Sequence, residues 1–318
     1  MKVGIIFPGY GSQFVGMGKE FHGSSRLMQE YFEQASQCLD LNFVKLAFSS
    51  SESELTKFEK GYPVLFATTF SIAQIMKEAG LNISLVAGYD IGEYAAIAAG
   101  GGLSLPDGLY LLNKYAGMFT EMLHEKRYNA VRIKGLTEDE IKLFCARATN
   151  GNQISYISAQ ELEEQFVVTG TAESMDIVIN EIKSTTQAEV FPATLGSGLH
   201  SPLMDEVLKK IKMYLEKVDF KEVSIPFVAS VTGQALKDGD AVRAAVMQQI
   251  HAPLRWKETM EAFVYCDVIV TIGDCGLTRE LCAYLYPHKK VFCITMPEDV
   301  QALKALCGTV CCNQESEK

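Results

Sequence analysis

One segment most constrains how this chain can fold, and it runs Ser84-Leu-Val-Ala-Gly-Tyr-Asp-Ile-Gly-Glu-Tyr-Ala-Ala-Ile-Ala-Ala-Gly100. Its apolar start is typical of a buried strand, and its alanine-rich end is typical of a helix. Gly88 and Gly92 stand between the two parts and bracket a sharp turn around Asp90. The sequence therefore predicts a strand, a tight turn and a helix, with the side chain of Asp90 presented at the end of the strand.

The turn around Asp90 has the glycine spacing of a G-x-S-x-G nucleophile elbow, in which the backbone N–H after the serine binds an oxyanion. Ile91 supplies that N–H here. A serine forms a stable ester with an acyl group, whereas a carboxylate would form a labile mixed anhydride. The scaffold thus indicates acyl transfer, but the residue at its centre argues against it. Two roles for Asp90 stay open: a cap on the helix that begins at Ile91, or a working carboxylate paired with His200.

Strand-like apolar runs alternate with amphipathic helical stretches, which is typical of an α/β fold. The predicted strands are Val3–Phe7, Leu85–Ala87, Val131–Ile133, Phe166–Thr169, Glu189–Pro192, Phe227–Ser230, Val268–Ile272 and Val291–Ile294. Residues 127–197 differ from their flanks, since they run strand, helix, two strands or a loop, helix, strand. We therefore expect a large α/β-hydrolase-like domain with a parallel-sheet core, formed by residues 1–126 and 198–318, and a small ferredoxin-like α+β insert at 127–197.

Charge and hydropathy exclude several classes of partner. The net charge of −10 argues against binding to nucleic acid or to an anionic membrane. No apolar run reaches about 18 residues, and the first strand, Lys2–Phe7, lacks the length and cleavage site of a signal peptide. The nine cysteines form no C-x-x-C pair, so we expect reduced thiols and no metal site. These features predict a cytoplasmic protein with neither a membrane partner nor a resident cofactor.

Four short motifs follow one another along the chain: Phe7-Pro-Gly-Tyr-Gly-Ser-Gln13, Gly88-Tyr-Asp-Ile-Gly-Glu-Tyr-Ala-Ala96, Leu199-His-Ser-Pro-Leu-Met204 and Gln249-Ile-His-Ala-Pro-Leu-Arg-Trp256. They resemble the F-P-G-Q-G-S-Q, G-H-S-x-G-E-x-x-A, F-H-S-x-L-M and Q-L-x-x-P-V-x-W motifs of malonyl-CoA:acyl-carrier-protein transacylases and of polyketide synthase acyltransferase domains. Four motifs in order over most of the chain imply the fold of that family. The resemblance also implies His200 and Gln249 as site residues, because both keep the family's residue type.

The chain departs from the family where the family carries out its chemistry. The replacements are Tyr10 for an oxyanion-hole Gln, Tyr62 for a pocket Gln, Tyr89 for a His, Asp90 for the nucleophilic Ser, and Tyr115-Ala116 for the usual Arg-Gly pair. The family also has an asparagine-containing loop where this chain runs Ile157-Ser-Ala-Gln-Glu-Leu-Glu-Glu164, and we expect a loop there as well.

These replacements change what the pocket could bind. In the family the arginine pairs bidentately with the malonyl carboxylate, whereas the hydroxyl of Tyr115 offers one neutral hydrogen bond at most. Asp90 would repel a malonyl carboxylate, and the donors of Ile91 and Gln13 would face a permanent anion. Two interpretations of the four tyrosines stay open. Either the rings fill a disused cleft, or their hydroxyls surround the carboxylate in a rebuilt site.

Three functional hypotheses follow from this resemblance. The first is an acyltransferase-family protein of fatty-acid or polyketide biosynthesis that lacks normal malonyl transfer but still binds an acyl carrier protein, a synthase partner, or a CoA or phosphopantetheine ligand such as an acyl-CoA. The second is an epoxide-hydrolase-like enzyme or acyl hydrolase that uses Asp90 with His200. The third is a transacylase that is still active. The second and third require Asp90 and His200 to act on a bound substrate or water.

Overall fold

The computed structural model describes residues 1–194, 199–273 and 276–315 and contains two β-sheets. The strands are β1 (Val3–Phe7), β2 (Ile83–Gly88), β3 (Tyr128–Lys134), β4 (Ser155–Leu162), β5 (Gln165–Thr171), β6 (Glu189–Pro192), β7 (Phe227–Val228), β8 (Ala235–Leu236), β9 (Leu254–Arg255), β10 (Val268–Ile272) and β11 (Lys290–Ile294).

The helices are α1 (Lys19–Ser24), α2 (Arg26–Leu39), α3 (Phe43–Ser49), α4 (Glu52–Leu55), α5 (Phe58–Glu78), α6 (Gly92–Gly100), α7 (Leu105–Glu125), α8 (Glu138–Ala148), α9 (Ala172–Thr185), α10 (Asp205–Leu215), α11 (Gly239–His251), α12 (Trp256–Glu261), α13 (Gly276–Leu285) and α14 (Pro297–Glu315). Within the described ranges, 3₁₀ turns also lie at Pro202–Met204 and Ala262–Tyr265.

The larger sheet has the strand order β11-β10-β1-β2-β7-β8. Its neighbouring strands pair in parallel, except β7 and β8, which are antiparallel. Strands β1 and β10 are buried along their whole length, which explains their nearly continuous apolar sequences. The main hydrophobic core joins this sheet to α5, α6, α7 and α10. The predicted parallel-sheet core is therefore confirmed.

The smaller sheet has the order β6-β3-β5-β4-β9. Its first four strands are antiparallel, and with α8 and α9 they follow the β-α-β-β-α-β order of a ferredoxin-like unit. Strand β9 comes from the later part of the chain and pairs in parallel with β4. It therefore connects the residues after α11 to the smaller sheet. We propose residues 127–197 as the bounds of the insert. The boundary at 197–198 lies outside the described residues.

One local expectation is wrong. The residues expected as a loop from Ile157 to Glu164 lie mostly in strand β4, which pairs with β5 through two register shifts. Such bulges interrupt the two-residue alternation by which a strand is recognised in a sequence. Helix α5 contains Pro63 in its second turn, where the ring removes one backbone donor.

Within the described ranges, no helix is long and apolar enough to cross a membrane, and no three metal-binding side chains cluster around a common point. Cys145 and Cys282 are buried free thiols, and burial raises the pKa of each to about 11. Both therefore stay protonated and unreactive at neutral pH. Cys293 is disulfide-bonded, so the expectation that every cysteine is reduced is wrong.

Candidate active site

The turn between β2 and α6 has the predicted elbow geometry. Asp90 adopts a φ of 53°, a left-handed conformation that aspartate tolerates better than most residues. A Cβ atom at Gly88 would lie 2.0 Å from the carbonyl carbon of Gly92, and one at Gly92 would lie 2.6 Å from the carbonyl oxygen of Phe7. Because backbone atoms occupy both places, a side chain at either glycine would force the turn open.

The carboxylate of Asp90 contacts two elements that lie on either side of the elbow. Its Oδ2 accepts a hydrogen bond from the backbone N–H of Tyr10 at 3.2 Å. Its Oδ1 lies 3.2 Å from Nε2 of His200, so the predicted close approach of these two residues is confirmed. Both side chains are almost inaccessible, with Asp90 1% and His200 3% exposed. The interpretation of Asp90 as a helix cap is wrong, since the N-cap position belongs to Ile91 and no side chain caps the helix.

Gln249 connects the histidine to the backbone of the elbow. Its carbonyl oxygen lies 2.8 Å from Nδ1 of His200, and its side-chain Nε2 donates to the carbonyl oxygen of Asp90 at 2.7 Å. Because a carbonyl only accepts, Nδ1 must carry a proton. The three residues therefore form a closed buried circuit in which Gln249 fixes both the ring of His200 and the backbone of Asp90.

The two side chains of this circuit are in close contact without an aligned hydrogen bond. Nε2 of His200 lies 3.2 Å from Oδ1 of Asp90 but has no hydrogen-bond partner among the described residues. Because Nδ1 carries the proton that the carbonyl of Gln249 accepts, Nε2 is the ring nitrogen that faces the carboxylate.

Glu93 lies in the first turn of α6 and is fully buried. One carboxyl oxygen accepts from the backbone N–H of Ser230 at 2.7 Å. Burial raises the pKa of Glu93 to about 8, the hydrogen bond to Ser230 opposes this rise, and the nearby charge of Asp90 adds to it. At neutral pH Glu93 is therefore mostly protonated.

Three of the tyrosines form an aromatic cluster with two phenylalanines. The ring centroids of Tyr10 and Tyr62 are 5.2 Å apart, and those of Tyr62 and Tyr115 are 5.9 Å apart. Phe58 and Phe119 fill the remaining sides. Tyr62 is fully buried and Tyr115 is 5% exposed. Burial, with the charge of Asp90, raises the pKa of both phenols well above the usual value, so the cluster is neutral.

Tyr89 lies on the other side of Asp90 and belongs to a charged network. Its hydroxyl donates to Oε1 of Glu161 at 2.9 Å. The guanidinium of Arg132 donates to both oxygens of Glu161, at 2.5 and 2.7 Å, and Gln165 donates to Oε2 at 2.7 Å. Glu161 is fully buried, so its charge depends on these donors. The elbow is thereby bonded to strands β3, β4 and β5.

Two of the four tyrosine hydroxyls are bonded away from the carboxylate of Asp90. The hydroxyl of Tyr10 donates to the carbonyl of Thr56, and that of Tyr89 donates to Glu161. The hypothesis that the tyrosine hydroxyls surround the carboxylate is therefore wrong for Tyr10 and Tyr89. The side chain of Gln13 makes a local bond, since its Oε1 accepts a hydrogen bond from the backbone N–H of Gly11 at 2.8 Å.

The network around Glu161 was not predicted from the sequence. Two signals were available, namely a basic residue, Arg132, inside an apolar strand and an acidic residue, Glu161, before another apolar strand. Opposite charges on buried neighbouring strands are expected to pair. The expectation of a loop at 157–164 concealed the pairing.

A cavity of about 220 Å³ opens beside the elbow, between the two sheets. Its walls include Gly9 to Ser12, Tyr89 and Arg132. A smaller cavity of about 110 Å³ shares Gly9, Ser12 and Tyr89 with it and continues towards Trp256. Neither Asp90 nor His200 lines either of these two cavities.

Comparison with known proteins identifies the class to which this fold and site belong. The acyl transferase domain profile matches residues 5–273, so the chain belongs to the acyl transferase domain family. The malonyl CoA-acyl carrier protein transacylase of Bacillus subtilis (strain 168) is 24% identical over 302 residues, covering 94% of this chain and 95% of the relative. That of Staphylococcus aureus (strain MRSA252) is 23% identical over 302 residues, covering 94% and 97%.

Solved structures share the fold over nearly the whole chain. The malonyl CoA-acyl carrier protein transacylase of Coxiella burnetii superposes with a TM-score of 0.88 at 23% identity, covering 96% of this chain and 97% of that one. A malonyl-transacylase solved in complex with its type II polyketide synthase acyl-carrier protein gives a TM-score of 0.88 at 24% identity, covering 94% and 98%. At these identities the likeness establishes the fold alone.

Proposed function

We propose that this chain is an acyltransferase-family protein of fatty-acid or polyketide biosynthesis that does not transfer malonyl groups and instead binds an acyl carrier protein or a synthase partner. One observation carries the proposal. The carboxylate of Asp90 accepts a hydrogen bond from the backbone N–H of Tyr10, at a position where the family holds an oxyanion. The same carboxylate faces Nε2 of His200. The chain's own side chain thus uses the two groups that an acyl substrate would need.

The chemistry of the site supports the same conclusion. The Asp90 side chain cannot form the stable acyl ester that a serine forms, and a mixed anhydride with an acyl group would hydrolyse readily. His200 is held at Nδ1 by the carbonyl of Gln249, and its Nε2 faces the carboxylate of Asp90, so the ring is not directed at an incoming thiol. Tyr115 stands where the family has its carboxylate-binding arginine and is packed among aromatic rings. A malonyl group would find neither nucleophile nor counter-charge.

The similar proteins support an acyl carrier protein as the partner. They act between malonyl-CoA and acyl carrier protein, and one neighbour was solved with its carrier protein bound. The cavity of about 220 Å³ beside the elbow offers Arg132 and backbone groups to an extended polar arm such as phosphopantetheine. We propose that this binding takes place in the cytoplasm, where carrier proteins of this kind are loaded with acyl groups.

Transfer of radiolabelled malonyl groups from malonyl-CoA to a holo carrier protein tests the loss of activity. We expect turnover far below the roughly 1–1000 per second of ordinary enzymes. Asp90→Ser alone should stay inactive, because Tyr10, Tyr89 and Tyr115 remain. The Bacillus subtilis transacylase serves as the positive control. Normal turnover by the wild-type chain would mean that it is a working transacylase.

Binding of a carrier protein tests the retained role. Leu277 lines both cavities beside the elbow, whereas Leu143 lies exposed on α8 away from them. Leu277→Trp should weaken binding of the holo carrier at least tenfold in calorimetry and leave the apo carrier unaffected, since only the holo form carries the arm. Leu143→Trp should change neither affinity. Equal binding of holo carrier by both variants would contradict a role for this cavity.

The hydrolase hypothesis has less support. It requires hydroxyl donors close to the carboxylate of Asp90 and access for an electrophile. The hydroxyls of Tyr10 and Tyr89 are bonded to Thr56 and Glu161, and Asp90 is 1% exposed. Release of product from aryl epoxides or acyl thioesters at enzymatic rates, lost in Asp90→Asn, would revive it.

A further inference from the structure

A cavity larger than the two beside the elbow lies away from them, where α8 and β4 face the loops around Pro202 and Pro253. Its volume is about 590 Å³, within the range of roughly 300–1,000 Å³ that is typical of small-molecule sites. The apolar part of the lining comes from the side chains Ala146, Tyr156, Ile157, Pro202 and Pro253.

The polar part of this cavity carries an excess of positive charge. The carboxylate of Glu138 contacts Lys142 at 2.9 Å and Arg255 at 3.2 Å, so one anion is shared by two cations. Arg255 also donates to the neutral Oε1 of Gln160 at 2.9 Å. Lys142 and Arg255 together draw the pKa of Glu138 below its usual value, which keeps it ionised at neutral pH. The lining itself therefore has one net positive charge at one end of an apolar space, and the exposed carboxylate of Asp139, which is outside the lining, lies 3.9 Å from Lys142.

We propose that this cavity binds a small amphipathic carboxylate, with an apolar body among the prolines and Ile157 and with its acid group at Lys142 and Arg255. An added carboxylate would balance the second cation, and the guanidinium of Arg255 has donors left after its bonds to Glu138 and Gln160. The thiol of Cys145 lines the same cavity, but its pKa of about 11 makes it an inert part of the wall.

The cavity is close in the chain to the buried pair of the elbow. Pro202 follows His200 by two residues, and Pro253 follows Gln249 by four. Strand β9, which begins next to Pro253, pairs with the Ala159–Gln160 part of β4, so both walls of the cavity belong to one connected sheet edge. A ligand that orders these loops is expected to perturb the ring of His200, which supplies an independent readout. The proposal does not depend on binding of a carrier protein.

Octanoate is a suitable probe, measured by calorimetry and by the imidazole resonances of His200. Octanol and octyltrimethylammonium, with the same chain and no negative charge, are the matched controls. Octanoate should bind at least tenfold more tightly than either, because only it completes the charge at Lys142 and Arg255. Equal affinity for the three probes, or no binding of octanoate, would overturn the proposal.

Three variants locate the site. Ala146→Trp places a large ring at the cavity from an exposed helical position and should weaken octanoate binding at least tenfold. Leu143→Trp, at an exposed position of the same helix outside the lining, should leave it unchanged. Lys142→Met should weaken octanoate about tenfold without changing octanol. Unchanged octanoate affinity in Ala146→Trp would place the ligand elsewhere and defeat the assignment.

Discussion

The two flanks of Asp90 use the same residue type in opposite ways. On one flank, Tyr10, Tyr62 and Tyr115 pack with phenylalanines into a neutral cluster that excludes water. On the other flank, the hydroxyl of Tyr89 is one of the donors that hold the buried charge of Glu161. The first flank is stabilised by buried apolar area, and the second by hydrogen bonds to a carboxylate.

This difference shows that one residue type can support the elbow in two ways. Tyr10, Tyr62 and Tyr115 close one flank by packing of their rings. Where the elbow meets β3, β4 and β5, Tyr89 instead adds a hydrogen bond between the elbow and the smaller sheet. A tyrosine's role is therefore set by its neighbours, since its ring and its hydroxyl favour different surroundings.

The largest effect is expected at the aromatic flank. Tyr115→Ala should lower the free energy of unfolding by roughly 3–5 kcal/mol, because it leaves a cavity between Tyr62 and Phe119. Urea denaturation monitored by circular dichroism measures the change. A loss under about 1 kcal/mol would mean that the cluster is loosely packed and that the cleft is open.

The next effect concerns a buried carboxyl without a cation. Glu161 faces Arg132, whereas Glu93 has the neutral N–H of Ser230. The folded-state pKa of Glu93, about 8, lies above its unfolded value, so the folded state binds more protons between the two values. Stability should fall as the pH rises from about 5 to 8, with a slope approaching about 1.4 kcal/mol per unit.

Glu93→Gln isolates that contribution. The variant should lose the slope and show a gain over wild type that grows by about 3 kcal/mol between pH 5.5 and pH 8.5. Urea denaturation at a series of pH values gives the comparison. Parallel curves for the two proteins would show that Glu93 is ionised at neutral pH.

A smaller loss is expected at the polar flank. Tyr89→Phe removes one donor from the fully buried Glu161 and should cost roughly 1.5–3 kcal/mol, as for hydrogen bonds to charged groups. Arg132 and Gln165 still hold the carboxylate, which keeps the loss below that of removing the cation. Hydrogen exchange at β4 should also rise in this variant. A neutral result would show that the bond between Tyr89 and Glu161 is not retained in solution.

The smallest effect completes the contrast. Tyr115→Phe keeps the ring and removes the hydroxyl, so its stability should lie within about 0.5 kcal/mol of wild type. The same urea experiment serves for Tyr115→Phe and Tyr89→Phe, and the difference between them measures how the flanks differ. Equal losses of unfolding free energy at both positions would show that the hydroxyls of Tyr89 and Tyr115 contribute alike to stability.

The sequence alone was sufficient for the fold class and for the elbow. The glycines around Asp90 allow one local geometry, and the apolar runs of β1 and β10 specify buried parallel strands, because both signals act over a few neighbouring residues. The four motifs then placed His200 and Gln249 near Asp90. That proximity is confirmed by the 3.2 Å contact of Asp90 with His200 and the 2.7 Å hydrogen bond from Gln249.

Only the tertiary structure decided what the tyrosines and the carboxylate do. The direction of a hydroxyl depends on acceptors far away in the chain, and Tyr89 finds Glu161 72 residues later. The strand that carries Glu161 was hidden by its bulges. Likewise, the side chain of Asp90 turns towards Tyr10 and His200 and not towards its own helix. Its left-handed backbone sets this direction, and its partners lie 80 and 110 residues away in the chain. Local sequence carries no signal for such contacts, because the energy that selects them exists only once the sheets are assembled.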